Sequence, residues 1–320
     1  MRHGPVLLSL LLAGACGPAS GARRERVVIP DGSSVRAVAD SLAAHGVITS
    51  KTWFRLVARI GGYDRRVRSG DYELARGTGS LGALRALASG RASLIHVTVP
   101  EGYTLLDIAD VVQSELKVDR DSFLTAARDT GMLREFAVPA ASFEGFLRPD
   151  TYYFAAGVSA RVILREMART FQSSWDPAWD AQAAAQRLDR LTVVTLASVV
   201  EGEARVDTDR PLIAAVYRNR LRLGMPLQAD PTVQYAIQVS TGQRKQRLYE
   251  KDYEIESPYN TYQRAGLPPG PVGAPGRKSI EAVLAPAPVP YLYFVAGPDG
   301  RHIFSRTYAE HLRAVARLRR

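Results

Sequence analysis

The sequence predicts an α+β protein in which small strand–helix–helix modules precede a larger domain of mixed helices and strands. Three features carry this expectation. A strand–turn–helix pattern occurs twice at a constant offset of 70 residues. The rest of the chain holds several runs with apolar residues at helical spacing, bounded by Asp, Ser, Gly or Pro. An aromatic-rich segment broken by Gly and Pro, Ser142 to Phe154, lies between the repeats and the next helix, as a folded loop leading into a strand requires.

The chain begins with Arg2 and His3, followed by an apolar run from Val6 to Ala15. That run is about half the length a membrane-spanning helix needs, and a positive end before a short apolar core predicts an export signal over residues 1–16. Leu12-Ala13-Gly14-Ala15-Cys16 resembles a lipoprotein signal, which implies acylation of Cys16, although Ala13 stands where such signals usually carry Leu. Residues 17–26 form a polar linker with Arg23, Arg24 and Arg26 close enough to a tethered N-terminus to meet anionic headgroups. Cys16 is the single cysteine, so intrachain disulfides and Cys-built zinc sites are excluded, and the five His are scattered. No metal and no cofactor are expected.

Val27 to Asp40 aligns with Val97 to Asp110. Each copy has a β-rich tripeptide, a Pro-acid-Gly turn and a Ser or Thr N-cap. Apolar residues then follow at helical spacing, Val35, Val38 and Leu42 in one copy and Leu105, Ile108 and Val112 in the other. Each continues into a second helix, Thr52 to Ile60 entered through Ser50, and Ser122 to Arg128 entered through Asp121. Such a unit folds only if a further strand closes it. In the first copy Val67 to Ala75 is expected to do so, before a helix from Ser80 to Ala88 that ends at Gly90. The pattern resembles LysM, a module that binds N-acetylglucosamine-containing glycans, although Tyr103 is the only aromatic beside either turn. The expected boundaries are a first repeat region at 27–95, a second module at 96–137 and a catalytic domain at 138–320.

Ser142 to Phe154 is dense in aromatics yet interrupted by Gly145 and Pro149, and reads as a loop over a surface leading into a strand. A helix from Arg161 to Phe171 follows, then a stretch in which Trp175, Pro177 and Trp179 suit packing as well as function. Leu191 to Arg205 is the most informative segment. Residues before Glu201 are apolar or small and hydroxyl-bearing, which predicts a buried helix ending at that carboxyl group. Desolvation there is expected to disfavour the charged form and raise the pKa, as a general acid requires. Glu203 does not share that helical face, and either orients Glu201 or meets solvent. Asp209 and Pro211 open another helix, with Ile213, Val216, Tyr217 and Leu221 on one face and Gly224 as its stop. Gln228, Asp230 and Thr232 punctuate a Pro-constrained turn, and Ser257 to Val272 is a rigid, Pro-rich loop that carries Tyr259, Asn260, Thr261 and Tyr262. Tyr, Asn, Thr and Gln held in fixed loops suit a ligand with many hydroxyls and amides, such as a sugar polymer.

Five blocks occur in a single order: FEGFLRPDTYYF, LASVVEGEA, LRLGMPLQADPTVQYA, SPYNTYQRAGLPPGPVGAPG and LAPAPVPYLYFVAGPDGRHIFSRTYAEH. Together they resemble the endolytic murein transglycosylase family, also called YceG-like, and with the LysM-like segment the resemblance runs from Val27 to His311. It implies a lyase that cuts the β-1,4 bond between N-acetylmuramic acid and N-acetylglucosamine within glycan strands and leaves 1,6-anhydro ends. It also implies that Glu201, as the first Glu of an ASxVExE-type segment, is the single acid/base. Gln228, Asp230, Tyr259, Asn260, Thr261 and Tyr262, with Glu203, are expected to hold the glycan. The implied partners are peptidoglycan strands, the membrane through an N-terminal anchor, and cell-wall synthesis enzymes, for an exported protein of the cell envelope. Members of the family usually carry a transmembrane helix where this chain has the short run ending at Cys16.

Two other readings compete. One is a wall-binding scaffold without turnover. The other is a hydrolase pairing Glu201 with Asp230, which would leave reducing ends. Nucleic acid is suggested by the formal charge of +10 alone. No helix-turn-helix, RRM or zinc-finger signature accompanies it, and export separates the chain from nucleic acid. Only five of the 42 basic residues are Lys, so part of the charge is compositional, and the remainder suits an anionic wall or membrane.

Overall fold

The computed structural model describes residues 23–90 and 94–318. The expected signal segment, Cys16 and the first part of the linker lie outside the described residues. The chain forms two units, one from the residues up to Leu94 with Ala155–Val158, the other from Ile95–Phe154 and Ser159 onward.

The first unit follows the repeat pattern closely. Strand β1 (Arg24–Ile29) leads through the Asp31-Gly32 turn to helix α1 (Val35–Ala44), where the Ser34 hydroxyl accepts from the Ala37 amide at 3.2 Å. Helix α2 (Lys51–Ile60) is capped in the same way by Ser50 on Trp53. Strand β2 (Gly70–Ala75) closes the module by antiparallel pairing with β1, with Val27 opposite Tyr72. Helix α3 (Gly79–Ser89) then ends at Gly90 in the left-handed conformation. Val27, Ile29, Leu42, Phe54, Tyr72, Leu84 and Leu87 are completely or almost completely buried. The Tyr72 hydroxyl, which could not be left unpaired in that core, donates to the Arg68 carbonyl at 2.8 Å.

The second copy folds alike but does not stand alone. It runs through β3 (Ile95–Val99), α4 (Leu105–Leu116), α5 (Arg120–Ala126) and α6 (Thr130–Glu135). Thr104 and Asp107 form a reciprocal capping box on α4, and Asp119, not Asp121, caps α5 by accepting from Ser122 at 2.8 Å. Its closing strand is β4 (Asp150–Phe154), paired antiparallel to β3. The aromatic segment that precedes β4 is therefore interior, not a surface loop. Phe143, Phe146 and Leu147 are buried, and Gly145 takes φ +78°, where a Cβ would collide with Pro271. The boundary expected near residue 137 is absent because the closing strand comes from beyond it.

The larger unit continues through α7 (Ala160–Ser174), α8 (Pro177–Ala185), α9 (Arg190–Glu203), α10 (Arg210–Arg222), α11 (Asp230–Thr241) and α12 (Arg277–Leu284). A final hairpin of β5 (Tyr293–Ala296) and β6 (His302–Ser305) is followed by α13 (Tyr308–Leu318). Helix α9 is the axis of this unit. Asp189 caps it, every residue from Val193 to Val200 is buried, and α8, α10, α11 and α12 all pack on it. The turn expected at Asp230 is instead the first residue of α11, with Pro231 in the first helical turn, where its missing N–H costs nothing. No helix among the described residues is long and apolar enough to cross a membrane.

Candidate active site

The end of α9 places its two glutamates in different surroundings. Glu201 points toward the start of α12. Its Oε1 accepts from Arg210 Nη1 at 2.8 Å, and its Oε2 accepts from the Gly276 amide at 2.9 Å and the Ser279 hydroxyl at 2.8 Å. Arg210 is itself buried and also donates to Ser279 and Asp207. Glu201 is thus one half of a buried, fully hydrogen-bonded ion pair. Its other neighbour is the Pro100-Glu101-Gly102 turn of the second repeat, bound to the loop before α12 by Gly102 N to Ala274 O at 2.8 Å and Ala274 N to Tyr103 O at 2.7 Å. The sequence predicted a partly desolvated carboxyl at 201; the structure surrounds it with a cation, a hydroxyl and an amide.

Glu203 lies on the wall of a pocket of about 330 Å³, which it lines with Tyr217, Gln228, Asp230, Tyr262 and His302. Its Oε1 accepts from the Tyr217 hydroxyl at 2.8 Å. Burial, reinforced by the negative charge of Asp230, pushes the Glu203 carboxyl up to about 7. Tyr217 remains a hydroxyl donor because its own burial drives its pKa upward.

The close approach of Asp230 depends on Gly202. A Cβ at that position would lie 2.5 Å from the Pro231 ring, so only glycine lets the start of α11 rest on the end of α9. Asp230 Oδ1 accepts from the hydroxyls of Tyr262 at 2.6 Å and Tyr253 at 3.2 Å. Gln228 has φ +50°, a strained conformation for a non-glycine residue. It is held by its amide on the Thr261 carbonyl at 3.1 Å and by its Oε1, which accepts from Arg220 at 3.2 Å. That arrangement leaves the Gln228 side-chain NH₂ as a donor for the pocket. Arg220 is buried and also donates to the carbonyls of Leu227 and Leu292, so it braces the pocket floor.

Four of the expected site residues therefore share one cavity: Glu203, Gln228, Asp230 and Tyr262. The others act behind it. Asn260 is completely buried and donates to the carbonyls of Tyr253 and Ile255, both at 2.9 Å, while its Oδ1 accepts from the Tyr262 amide. Thr261 is buried and exchanges a 2.9 Å hydroxyl contact with Thr232. Tyr259 packs on Tyr235 with ring centroids 4.7 Å apart. These three shape the loop that delivers Tyr262; they do not line the pocket.

Sequence reasoning missed Tyr217, Arg220 and His302 as site residues. Tyr217 shares an apolar helical face with core residues, which conceals that its hydroxyl reaches Glu203. His302 comes from the terminal hairpin, where its amide and Nδ1 both contact Asp209 Oδ2, at 2.7 and 2.9 Å. No local spacing links residues this far apart.

Comparison with known proteins agrees with this architecture. The YceG-like family matches residues 27–317. A Bacillus subtilis protein named endolytic murein transglycosylase is 34% identical over 302 residues, covering 89% of this chain and 82% of that protein. A Streptococcus pneumoniae protein of the same name is 29% identical, covering 91% of this chain and 57% of its own length. The crystal structure of a YceG-like protein from Listeria monocytogenes superposes with a TM-score of 0.63 at 31% identity, covering 92% of this chain and all of that one.

Proposed function

Because this chain belongs to the YceG-like family, we propose that it is a peptidoglycan lytic transglycosylase that cleaves within glycan strands and uses Glu203 as its single acid/base. The observation that carries the assignment is the split between the two glutamates. Glu203 lines the pocket with its pKa raised to about 7, whereas Glu201 is committed to Arg210 and α12. A group with that pKa is protonated often enough near neutral pH to act as an acid and is basic enough to recover a proton.

In the first step Glu203 gives its proton to the glycosidic oxygen as the bond from C1 of N-acetylmuramic acid breaks, releasing N-acetylglucosamine with a free 4-hydroxyl. In the second, the 6-hydroxyl oxygen of the same muramic acid bonds to C1, its proton passes to the Glu203 carboxylate, and a 1,6-anhydro ring closes. The acid is regenerated and water is not consumed. Since Tyr217 holds Oε1, Oε2 is the atom assigned to proton transfer. Asp230, kept in place by two tyrosine hydroxyls, supplies negative charge to stabilise the positive character that develops at C1. Gln228 offers an amide donor to sugar oxygens or the N-acetyl group. The envelope location and a tether through Cys16 belong to the same proposal and rest on the N-terminal sequence.

Digestion of purified sacculi by the wild type and by Glu203→Gln tests the chemistry. Anhydro-muropeptides from the wild type and their loss in the variant are expected. Wild-type protein that is folded yet releases nothing leaves only the scaffold reading. Asp230 shares the pocket with Glu203, so hydrolysis by that pair is the second reading, and reducing ends in place of anhydro ends would favour it.

A further inference from the structure

Helix α2 of the first unit carries an apolar outer face that is exposed among the described residues. Phe54 and Ala58 are completely buried beneath the helix, but Trp53, Leu56 and Ile60, spaced to share its outer side, are 59%, 45% and 78% exposed. A tryptophan and two large aliphatic residues aligned on solvent form a patch that a freely dissolved module has no reason to keep. The flanks are basic. Arg55 and Arg59 lie on the same helix, and Arg65 and Arg66 are exposed just past its end. Lys51 is engaged by Asp40 at 2.9 Å, whereas none of those four Arg forms an ion pair with an acidic side chain among the described residues. Between residues 23 and 90 there are twelve Arg and Lys against six Asp and Glu.

We infer that the α2 face formed by Trp53, Leu56 and Ile60 is a docking surface for an anionic lipid bilayer, with Arg55, Arg59, Arg65 and Arg66 meeting the phosphates around it. Amphipathic helices lie in the headgroup region in this manner, with an indole at the interface and Arg reaching outward. The chemistry argues against the other occupants. A glycan needs hydrogen-bond donors and acceptors beside its stacking ring, and the companions of Trp53 are Leu56 and Ile60. A second copy would bring its own unpaired Arg against these. An anionic surface matches both the apolar centre and the basic rim. The inference is independent of the chemistry assigned to Glu203.

The test uses the full chain with vesicles of phosphatidylethanolamine and phosphatidylglycerol, compared with phosphatidylcholine vesicles. Trp53 is its own reporter, since Trp175 and Trp179 are only 7% and 4% exposed. Anionic vesicles should shift the tryptophan emission to the blue and allow brominated lipid to quench it, in a manner weakened by salt. The double variant Leu56→Ser/Ile60→Ser, which retains the reporter, should weaken the emission-detected binding by about tenfold or more. Arg55→Glu/Arg59→Glu should do so at low salt by a similar factor. Both pairs are exposed, so unchanged melting temperatures confirm that the fold is intact. Sedimentation with vesicles while Trp53 emission stays constant would mean tethering by another segment and would overturn the inference. Equal shifts on both lipids, or a shift that depends on protein concentration without vesicles, would overturn it as well.

Discussion

Exchanging each glutamate at the end of α9 for glutamine should separate stability from catalysis in opposite directions. Under the proposed mechanism, Glu203→Gln removes the proton donated to the glycosidic oxygen, with an expected loss of about 10²- to 10⁴-fold in turnover. It should also make the protein more stable in mild alkali. The folded-state pKa of Glu203 lies at about 7 against an unfolded value of 4.5, so the folded state binds the extra proton. Its stability contribution is complete below the lower value, falls as pH rises between the two, and stays reduced above the upper one. That gap corresponds to at most about 3 kcal/mol at pH 8. Glutamine cannot ionise and can still accept from Tyr217, so the variant should melt above the wild type at pH 8 and close to it near pH 4.5. Glu201→Gln should do the reverse. It leaves Arg210, whose side chain is 10% exposed, without its nearest counter-charge. Asp207 at 3.2 Å and Ser279 remain as partial compensation, so a cost of about 2–4 kcal/mol is expected, with turnover per folded molecule within a few-fold of wild type. Melting curves at the two pH values, together with anhydro-muropeptide release per mole of folded protein, decide the matter. A folded Glu201→Gln that releases no product, beside a Glu203→Gln that does, would refute the reasoning.

The rate of release should decline about tenfold per pH unit above the Glu203 value. Asp230→Asn should move that decline to lower pH by removing the nearby negative charge, and a profile that moves upward would contradict the electrostatic account. Gly202→Ala should lower stability by about 1–3 kcal/mol and turnover more than substrate affinity, because a methyl group must push Pro231, and Asp230 with it, away from Glu203. Asn260→Ala should cost about 1–3 kcal/mol in a melting experiment through the stranded carbonyls of Tyr253 and Ile255, with its effect on activity following the loss of folded protein. Glu144 is also pushed up to about 7 by burial, where it accepts from Leu105 N and Tyr235. Glu144→Gln should therefore raise the melting temperature relative to wild type above pH 7 but not near pH 4.5.

Much of the fold is legible along the chain because caps, turns and apolar spacing are local. Ser34, Ser50, Thr104 and Asp189 cap the helices that their neighbours predict, and Gly90 stops α3. Misreadings arise where a distant partner decides. The segment from Phe143 to Leu147 looked like a surface loop because Gly and Pro interrupt it, yet Gly145 is there to admit Pro271. Asn260 and Thr261 looked like ligand contacts because they are polar and sit in a rigid loop, but their partners are backbone carbonyls and Thr232.

The sequence by itself determined the elements, the repeated module, the family blocks and the helix that ends in two glutamates, since each is written in residues close together. Only the tertiary structure decided what surrounds each of those two glutamates. Glu201 and Glu203 are two positions apart on one helix and differ little in local sequence. Arg210 on α10 and Ser279 on α12 claim the first, while Tyr217, also on α10, and Asp230 on α11 meet the second. A carboxyl group's chemistry is set by the charges and burial around it, and those are supplied by residues that only folding brings together.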